Sequence, residues 1–387
     1  MRLNNFWSYR RILFSKGFVS AVRNSRQNVV AYNQDRPLKA GPYMAELDIT
    51  YQAGPYMAEL DITYQCNCRC QMCQRWNDPR RDELSLAEYR KLAADLHQMG
   101  SHQISISGGE PLLRADVFPI IESFSELGMS VNLCTNGLLL KKYANEICSS
   151  GMTCISISLD GASAARHDEI RGISGSYQQI KEGIDHLLRR PRSSRPILRV
   201  RMTISNHNAS EIRAFYEKWQ NVADDVLFQP VHHCTDAYYT GLVEADLKVD
   251  PQEIAKQIAD TPFEKDNYLK RLITSLETKG SFPRQPCYAG VLMARIDPWG
   301  NVYPCLEQHV RIGSVREEDF ASIWNSDSSD KERRRLANNR PCSCWYNNTA
   351  LIGHYGKLLG STPRQVLRGL AQNNFIDYLP SVFSEKK

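Results

Sequence analysis

The sequence predicts an α/β protein built on a parallel sheet, followed by a small cysteine-bearing α+β module. Three observations predict it. From residue 60 to residue 229, strand-like runs alternate with helical stretches of about 10 to 15 residues, the pattern of βαβ units. Motifs rich in Cys, Gly and Asn fall just after the strands, where parallel sheets place their ligand sites. Eight of the twelve cysteines crowd at 66–73 and again at 287–344, which marks two metal-binding regions, while Cys134, Cys148, Cys154 and Cys234 are scattered singly and read as small buried hydrophobes.

The elements follow in order. Residues 60–63 are the first strand. Ser85-Leu86-Ala87-Glu88 is a capping box that opens a helix to about Met99. Strands follow at 103–107, 130–134, 154–159, 197–204 and 226–229, with helices over 115–127, after Gly137, and over 176–189 and 209–220. Residues 250–279 read as a polar helical bridge. In 287–348, Gly300-Asn301 between Arg295-Ile296-Asp297 and Val302-Tyr303 predicts a hairpin that draws its flanking cysteines together. A region this short usually needs a metal to hold it. Ala40 to Gln52 (AGPYMAELDITYQ) is repeated letter for letter at Ala53 to Gln65. Only the second copy runs into the cysteines, so it is the expected working strand, with the first a loop or an added edge strand.

Composition excludes several classes. At 387 residues the chain accommodates one large domain and a smaller one, and 42% hydrophobic with 24% charged residues is ordinary for a soluble globular protein. No stretch approaches the roughly 20 apolar residues of a membrane span, and Ile12-Leu13-Phe14 is too short for a secretory signal. A net charge of +5 without a basic block does not call for nucleic acid. A cytoplasmic location is expected, where cysteines persist as thiols or metal ligands. Residues 1–34 carry six basic residues and no acid. They fit a helix docked on the body, a helix at a membrane surface or partner, or an organellar transit peptide.

Cys66, Cys70 and Cys73 form a C-x3-C-x2-C set directly after the first strand. Soft thiolates select zinc or iron–sulfur clusters, and three ligands on one loop leave the fourth position of a cluster open, as a catalytic metal needs. A closed site using Cys68 as fourth ligand is the competing reading. Ser107-Gly108-Gly109-Glu110-Pro111 follows the second strand, with glycines that permit close backbone approach and a carboxylate able to accept hydrogen bonds from an ammonium group.

With Thr135-Asn136-Gly137 after the third strand, Ser158-Leu159-Asp160-Gly161 at the fourth, and His167-Asp168-Glu169-Ile170-Arg171-Gly172 beyond it, residues 56–235 resemble the radical S-adenosylmethionine (SAM) superfamily. The resemblance implies a partial (β/α)6 radical SAM barrel. It implies that Cys66, Cys70 and Cys73 bind a [4Fe–4S] cluster whose open iron takes SAM. Gly108, Gly109 and Glu110 would hold SAM's amino group, Ser158 and Arg171 its carboxylate or ribose, with Asn136 or Asn206 assisting. Met72 stands where many members carry an aromatic residue, and Cys68 where an apolar one is usual. Cys287, Cys305, Cys342 and Cys344 resemble the auxiliary-cluster module called SPASM, or its shorter relative called twitch, and imply a second [4Fe–4S] cluster; zinc at the same four residues is the alternative.

The expected organisation is an N-terminal segment (1–39), the duplicated copy (40–52), a radical SAM core (53–240), a bridge (241–286), the auxiliary module (287–350) and a tail (351–387). By the same resemblance, a flavodoxin- or ferredoxin-like donor delivers an electron, and a 5′-deoxyadenosyl radical abstracts hydrogen from a peptide or from a lipid-linked or other small substrate. His232-His233, after the sixth strand, would face that substrate or form a polar surface pair. The alternative outside the enzymes is an iron–sulfur or zinc protein of electron transfer or structure.

Overall fold

The computed structural model describes residues 54–231, 249–265, 267–278, 288–306 and 310–338. Residues 1–39, the first repeat copy, His232-His233, Cys287, Cys342, Cys344 and the tail lie outside the described residues.

The barrel strands are β1 (Met57–Thr63), β2 (Gln103–Gly108), β3 (Ser130–Thr135), β4 (Cys154–Ser158), β5 (Ile197–Ile204) and β6 (Asp225–Pro230). All pair in parallel with their sequence neighbours. Among the described residues the helices between them are α1 (Leu86–Gln98), α2 (Val117–Ser125), α3 (Ala144–Ser149), α4 (Ala164–Arg171), α5 (Ser176–Leu188) and α6 (Ile212–Trp219). Ser85 and Glu88 close the expected capping box on α1, and β1 is the second repeat copy. The one barrel helix not anticipated is α4, which contains the His167–Arg171 motif. Its first residues lack an apolar stripe, so periodicity does not announce it.

The strands set an apolar face against a largely polar one. Leu60, Ile62, Ile104, Ile106, Leu133 and Val200 on one face are wholly buried in the core cluster shared with the helices. The alternate residues are polar: Glu59, Asp61 and Thr63 on β1, Ser105 and Ser107 on β2, Asn132 on β3, Ser156 and Ser158 on β4, Arg201 and Thr203 on β5, Gln229 on β6. A parallel sheet covered on both faces ordinarily reads as a continuous apolar run, and barrel interiors ordinarily fill with branched aliphatic side chains. A polar inner face is therefore a lumen built to receive something.

The C-terminal segment joins this barrel. After α7 (Pro251–Ile258) and α8 (Asn267–Glu277), β7 (Met293–Ile296) pairs in parallel with β1. The expected hairpin then adds β8 (Asn301–Tyr303) and β9 (Gly313–Ser314), giving the order β6-β5-β4-β3-β2-β1-β7-β8-β9. Helices α9 (Phe320–Trp324) and α10 (Asp327–Asn338) follow. Arg316 clasps the start of α1, ion-pairing with Asp82 just before it at 2.7 Å and with Glu88 in its first turn at 2.9 Å. The β1 edge, which would otherwise expose a ladder of donors and acceptors, is thus sealed by the C-terminal segment.

Candidate active site

The cysteine loop leaves β1 at an irregularity: the β1–β2 register shifts between Asp61 and Thr63, as bulges beside active sites do. The Gly-Gly-Glu backbone then zips onto the loop's stem, with the Gly109 N–H bonded to the Thr63 carbonyl at 2.6 Å and the Glu110 N–H to that of Gln65 at 2.8 Å. A Cβ on Gly109 would lie 2.3 Å from the Gln65 oxygen, and one on Gly108 would lie 2.2 Å from that of Thr63. The close approach these glycines permit is therefore to backbone of the first strand, although both also line the cavity.

On its far side the loop is held by α4. The N–H groups of Arg69 and Gln71 donate to the Arg171 and Ile170 carbonyls at 3.1 and 2.9 Å. Gly172, at φ +69°, lets the helix end approach Arg69, whose carbonyl oxygen would be 2.6 Å from a Cβ there. Met72 packs on Ile170 and Val231. Asp168 receives the N–H groups of Gly175 and Tyr177, so α4 also fixes the start of α5.

Cys66, Cys68, Cys70 and Cys73 share one cavity of about 150 Å³ with Ser107, Gly108, Gly109, Asn136, Ser158 and Arg171. Of the expected SAM contacts Glu110 and Asn206 stand outside its lining. Glu110 is wholly buried and accepts from the Leu112 N–H (3.1 Å), the Thr135 hydroxyl (2.7 Å) and the Asn136 N–H (2.6 Å). Burial pushes its carboxyl up, against the pull of those three donors. It ties the β2 end to the β3 end, and its oxygens are committed there. Asn136 in turn bonds Asn67 in the cysteine loop at 2.7 Å. Asn206 is exposed; the buried neighbour Asn208 instead donates to the Asp160 and Thr203 carbonyls at 3.0 and 2.8 Å.

Each of the three spaced cysteines has an N–H donor at its sulfur. The Cys68 backbone N–H meets Cys66 Sγ at 3.4 Å, Arg171 meets Cys70 Sγ at 3.7 Å, and the Arg75 backbone N–H meets Cys73. The Cys68 thiol donates to both Cys66 and Cys70. Those bonds hold Cys68 well up as a thiol, lower Cys66, and, with Arg171 beside it, bring Cys70 down to about 6. Burial pushes Cys73 up to about 11. Among the described residues no three His, Cys, Asp or Glu side chains converge on a single-ion site. A cluster differs from a single ion in spreading its thiolates over separate irons, and an all-sulfur donor set suits it.

Two orphaned atoms mark the cavity as built for a polar ligand. The Arg171 Nε–H and the Gln229 Oε1 are buried without a hydrogen-bond partner among the described residues, and both residues line it. Such atoms cost about 1–3 kcal/mol each unless a ligand satisfies them. A donor and an acceptor fit a molecule bearing both a carboxylate and an amine-type N–H, as SAM does.

His167 is wholly buried, its Nδ1 accepting the Asp160 N–H at 3.1 Å. Burial, then Arg171, depresses its pKa to about 3. Its neutral contribution is complete above the unfolded value of about 6.5 and is lost as pH falls toward the folded value. Stability should therefore drop by about 2 kcal/mol between pH 7 and pH 5 from this residue alone. Urea midpoints at the two pH values check this: His167→Asn, which keeps an acceptor without a titrating ring, should lose less between them than the parent.

Cysteine sulfurs gathered at the strand ends of a polar parallel barrel are the arrangement of a metal-cofactor enzyme of the barrel class. Residues 60–218 match the radical SAM superfamily and residues 287–345 match the iron–sulfur cluster-binding domain SPASM. The chain belongs to the radical SAM superfamily, with a C-terminal SPASM module; it is an enzyme that uses a [4Fe–4S] cluster and SAM, with auxiliary iron–sulfur in the module. It is 26% identical over 286 residues to the AdoMet-dependent heme synthase of Methanosarcina barkeri, covering 67% of this chain and 79% of that one. It is 24% identical over 307 residues to the mycofactocin maturase MftC of Mycobacterium tuberculosis, covering 76% and 75%. The fold matches Streptococcus suis SuiB, solved bound to precursor peptide SuiA, with a TM-score of 0.57, 15% identity and 80% and 74% coverage. No helix among the described residues is long and apolar enough to cross a membrane.

Sequence reasoning missed the lumen, its charged residues Glu59, Asp61, Arg75, Arg201 and Arg295, and the amide of Gln229. The signal was present as polar residues recurring at every second strand position.

Proposed function

We propose that Cys66, Cys70 and Cys73 ligate the SAM-cleaving cluster and that the substrate is a peptide whose reacting residue enters the barrel lumen. The observation that carries the ligand assignment is the single cavity in which three sulfurs with N–H donors meet an orphaned donor and an orphaned acceptor. The bound cluster and SAM supply a 5′-deoxyadenosyl radical able to abstract hydrogen from carbon. The protein's own work is to bind, orient and shield. The Gly108 and Gly109 backbone, with Asn136 and Ser158, would receive SAM, and the unpartnered Arg171 Nε–H would be available to its carboxylate. Glu110 is assigned a positioning role, because its oxygens already hold three protein donors.

For the auxiliary cluster the proposed ligands are Cys287, Cys305, Cys342 and Cys344. Cys305 is buried in one small cluster with Tyr288, Leu292 and Leu336, so the residue that follows Cys287 packs in the same cluster as Cys305.

The peptide reading draws on the lumen. Glu59, Thr203, Arg201 and Gln229 offer both donors and acceptors along the cavity, which suits the alternating N–H and C=O of a backbone. An extended apolar lipid has no polar atoms to match such a lining. MftC is a maturase and SuiB takes a precursor peptide, and both support the same class. The test is 5′-deoxyadenosine formation with short peptides encoded beside the gene, compared with a lipid extract. A peptide that raises the rate and itself changes mass supports the reading. Stimulation by the lipid extract alone overturns it.

A further inference from the structure

Arg75 and Arg171 both line the cysteine cavity, and each is pinned by a wholly buried aspartate. Arg171 bonds Asp160 Oδ2 at 2.6 Å while its other terminal nitrogen reaches Cys70 Sγ. Asp160 is itself fixed, its second oxygen accepting the Thr203 N–H at 2.8 Å. Arg75 bonds Asp61 at 2.9 Å and lies 4.3 Å over the Tyr64 ring. Asp61 is shared with Arg295 of β7, also at 2.9 Å, and Arg295 donates to the Tyr64 hydroxyl at 2.6 Å. Arg171 and Arg75 are therefore fixed positive charges beside the cysteine sulfurs, not mobile surface groups.

Resting on the ligand assignment above, we propose that Arg171 and Arg75 set the reduction potential of the SAM-binding cluster, holding it less negative than its thiolates alone would, and that Arg295 positions Arg75 through Asp61. The step concerned is the transfer of one electron from an external one-electron donor to the cluster, with no bond made or broken. It adds one negative charge to the site. Fixed cations nearby favour that charge, and N–H···S bonds draw electron density from the ligand sulfur. Asp160 and Asp61 oppose the effect while holding the cations in place, so the arginine and its aspartate should move the potential in opposite directions. Loss of packing alone would not produce that pattern.

The test is an anaerobic redox titration of the reconstituted full-length protein, followed by the EPR signal that changes on adding SAM, which separates this cluster from the auxiliary one. Arg171→Gln is expected to shift the midpoint to more negative potential and Asp160→Asn to less negative potential. Arg75→Gln should shift it negative independently, and it carries the same test should Arg171→Gln lose its cluster. An unchanged midpoint in the arginine variants, or arginine and aspartate variants moving together, overturns the proposal while the ligand assignment stands. A parent protein with no SAM-responsive signal overturns the assignment, and this proposal with it.

Discussion

Cys73→Ala is expected to bring 5′-deoxyadenosine formation down by about 100-fold or more, since loss of partners merely adjacent to metal ligands already costs 10–100-fold. Cys73 is half-buried and lines the cavity, and desolvation pushes its thiol up to about 11, so without a metal it is a neutral thiol. Replacing it should leave the fold intact, because its backbone N–H bond to the Cys70 carbonyl remains. The check has two parts: product by chromatography, and the iron–sulfur absorbance that remains from the SPASM module. Turnover equal to the parent would show the ligands to be misassigned. Cys68→Ala provides the contrast, because its thiol donates to Cys66 and Cys70 and has no role as a ligand in this account; it should retain a SAM-responsive cluster.

The second large effect lies away from the sulfurs. Asp61→Asn should destabilise the protein by about 3–5 kcal/mol, the cost of leaving buried cations without their partner. Asp61 is wholly buried with Arg75 and Arg295 each at 2.9 Å. Burial alone would raise its carboxyl; the two guanidiniums together hold it below the usual range. The charge pair therefore contributes above about pH 4 and is lost as pH falls further. Denaturant midpoints of the variant and parent measure this, and a difference below about 1 kcal/mol would show that the network is dispensable. Because Arg295 belongs to β7, the same variant should loosen the C-terminal segment. Limited proteolysis near residue 290 reads that directly.

The barrel was legible because its strands and helices obey local rules. The capping box at Ser85, the alternation of apolar and polar residues, and the motifs after each strand all reported on their own neighbourhoods. What escaped was long-range. The pairing of β7 with β1 joins residues more than 230 apart, and a four-residue strand carries no mark of its partner. Helix α4 was missed because its residues are chosen for contacts, not periodicity: His167 for the Asp160 N–H, Arg171 for Cys70, Gly172 for Arg69. The glycines of the Gly-Gly-Glu motif were legible as a close approach, but only the fold shows that the approach is to the neighbouring strand. Glu110 reads in the sequence as a ligand group, and its three internal donors are visible only once β2 and β3 stand side by side.

The measurement that bears most directly on the account is 5′-deoxyadenosine production by the anaerobically reconstituted protein given SAM and dithionite. Product formed by the parent and absent from the Cys66, Cys70 and Cys73 variants is the expected result. No product from protein shown to carry its full complement of iron and sulfide would contradict the claim that this cavity holds a SAM-cleaving cluster.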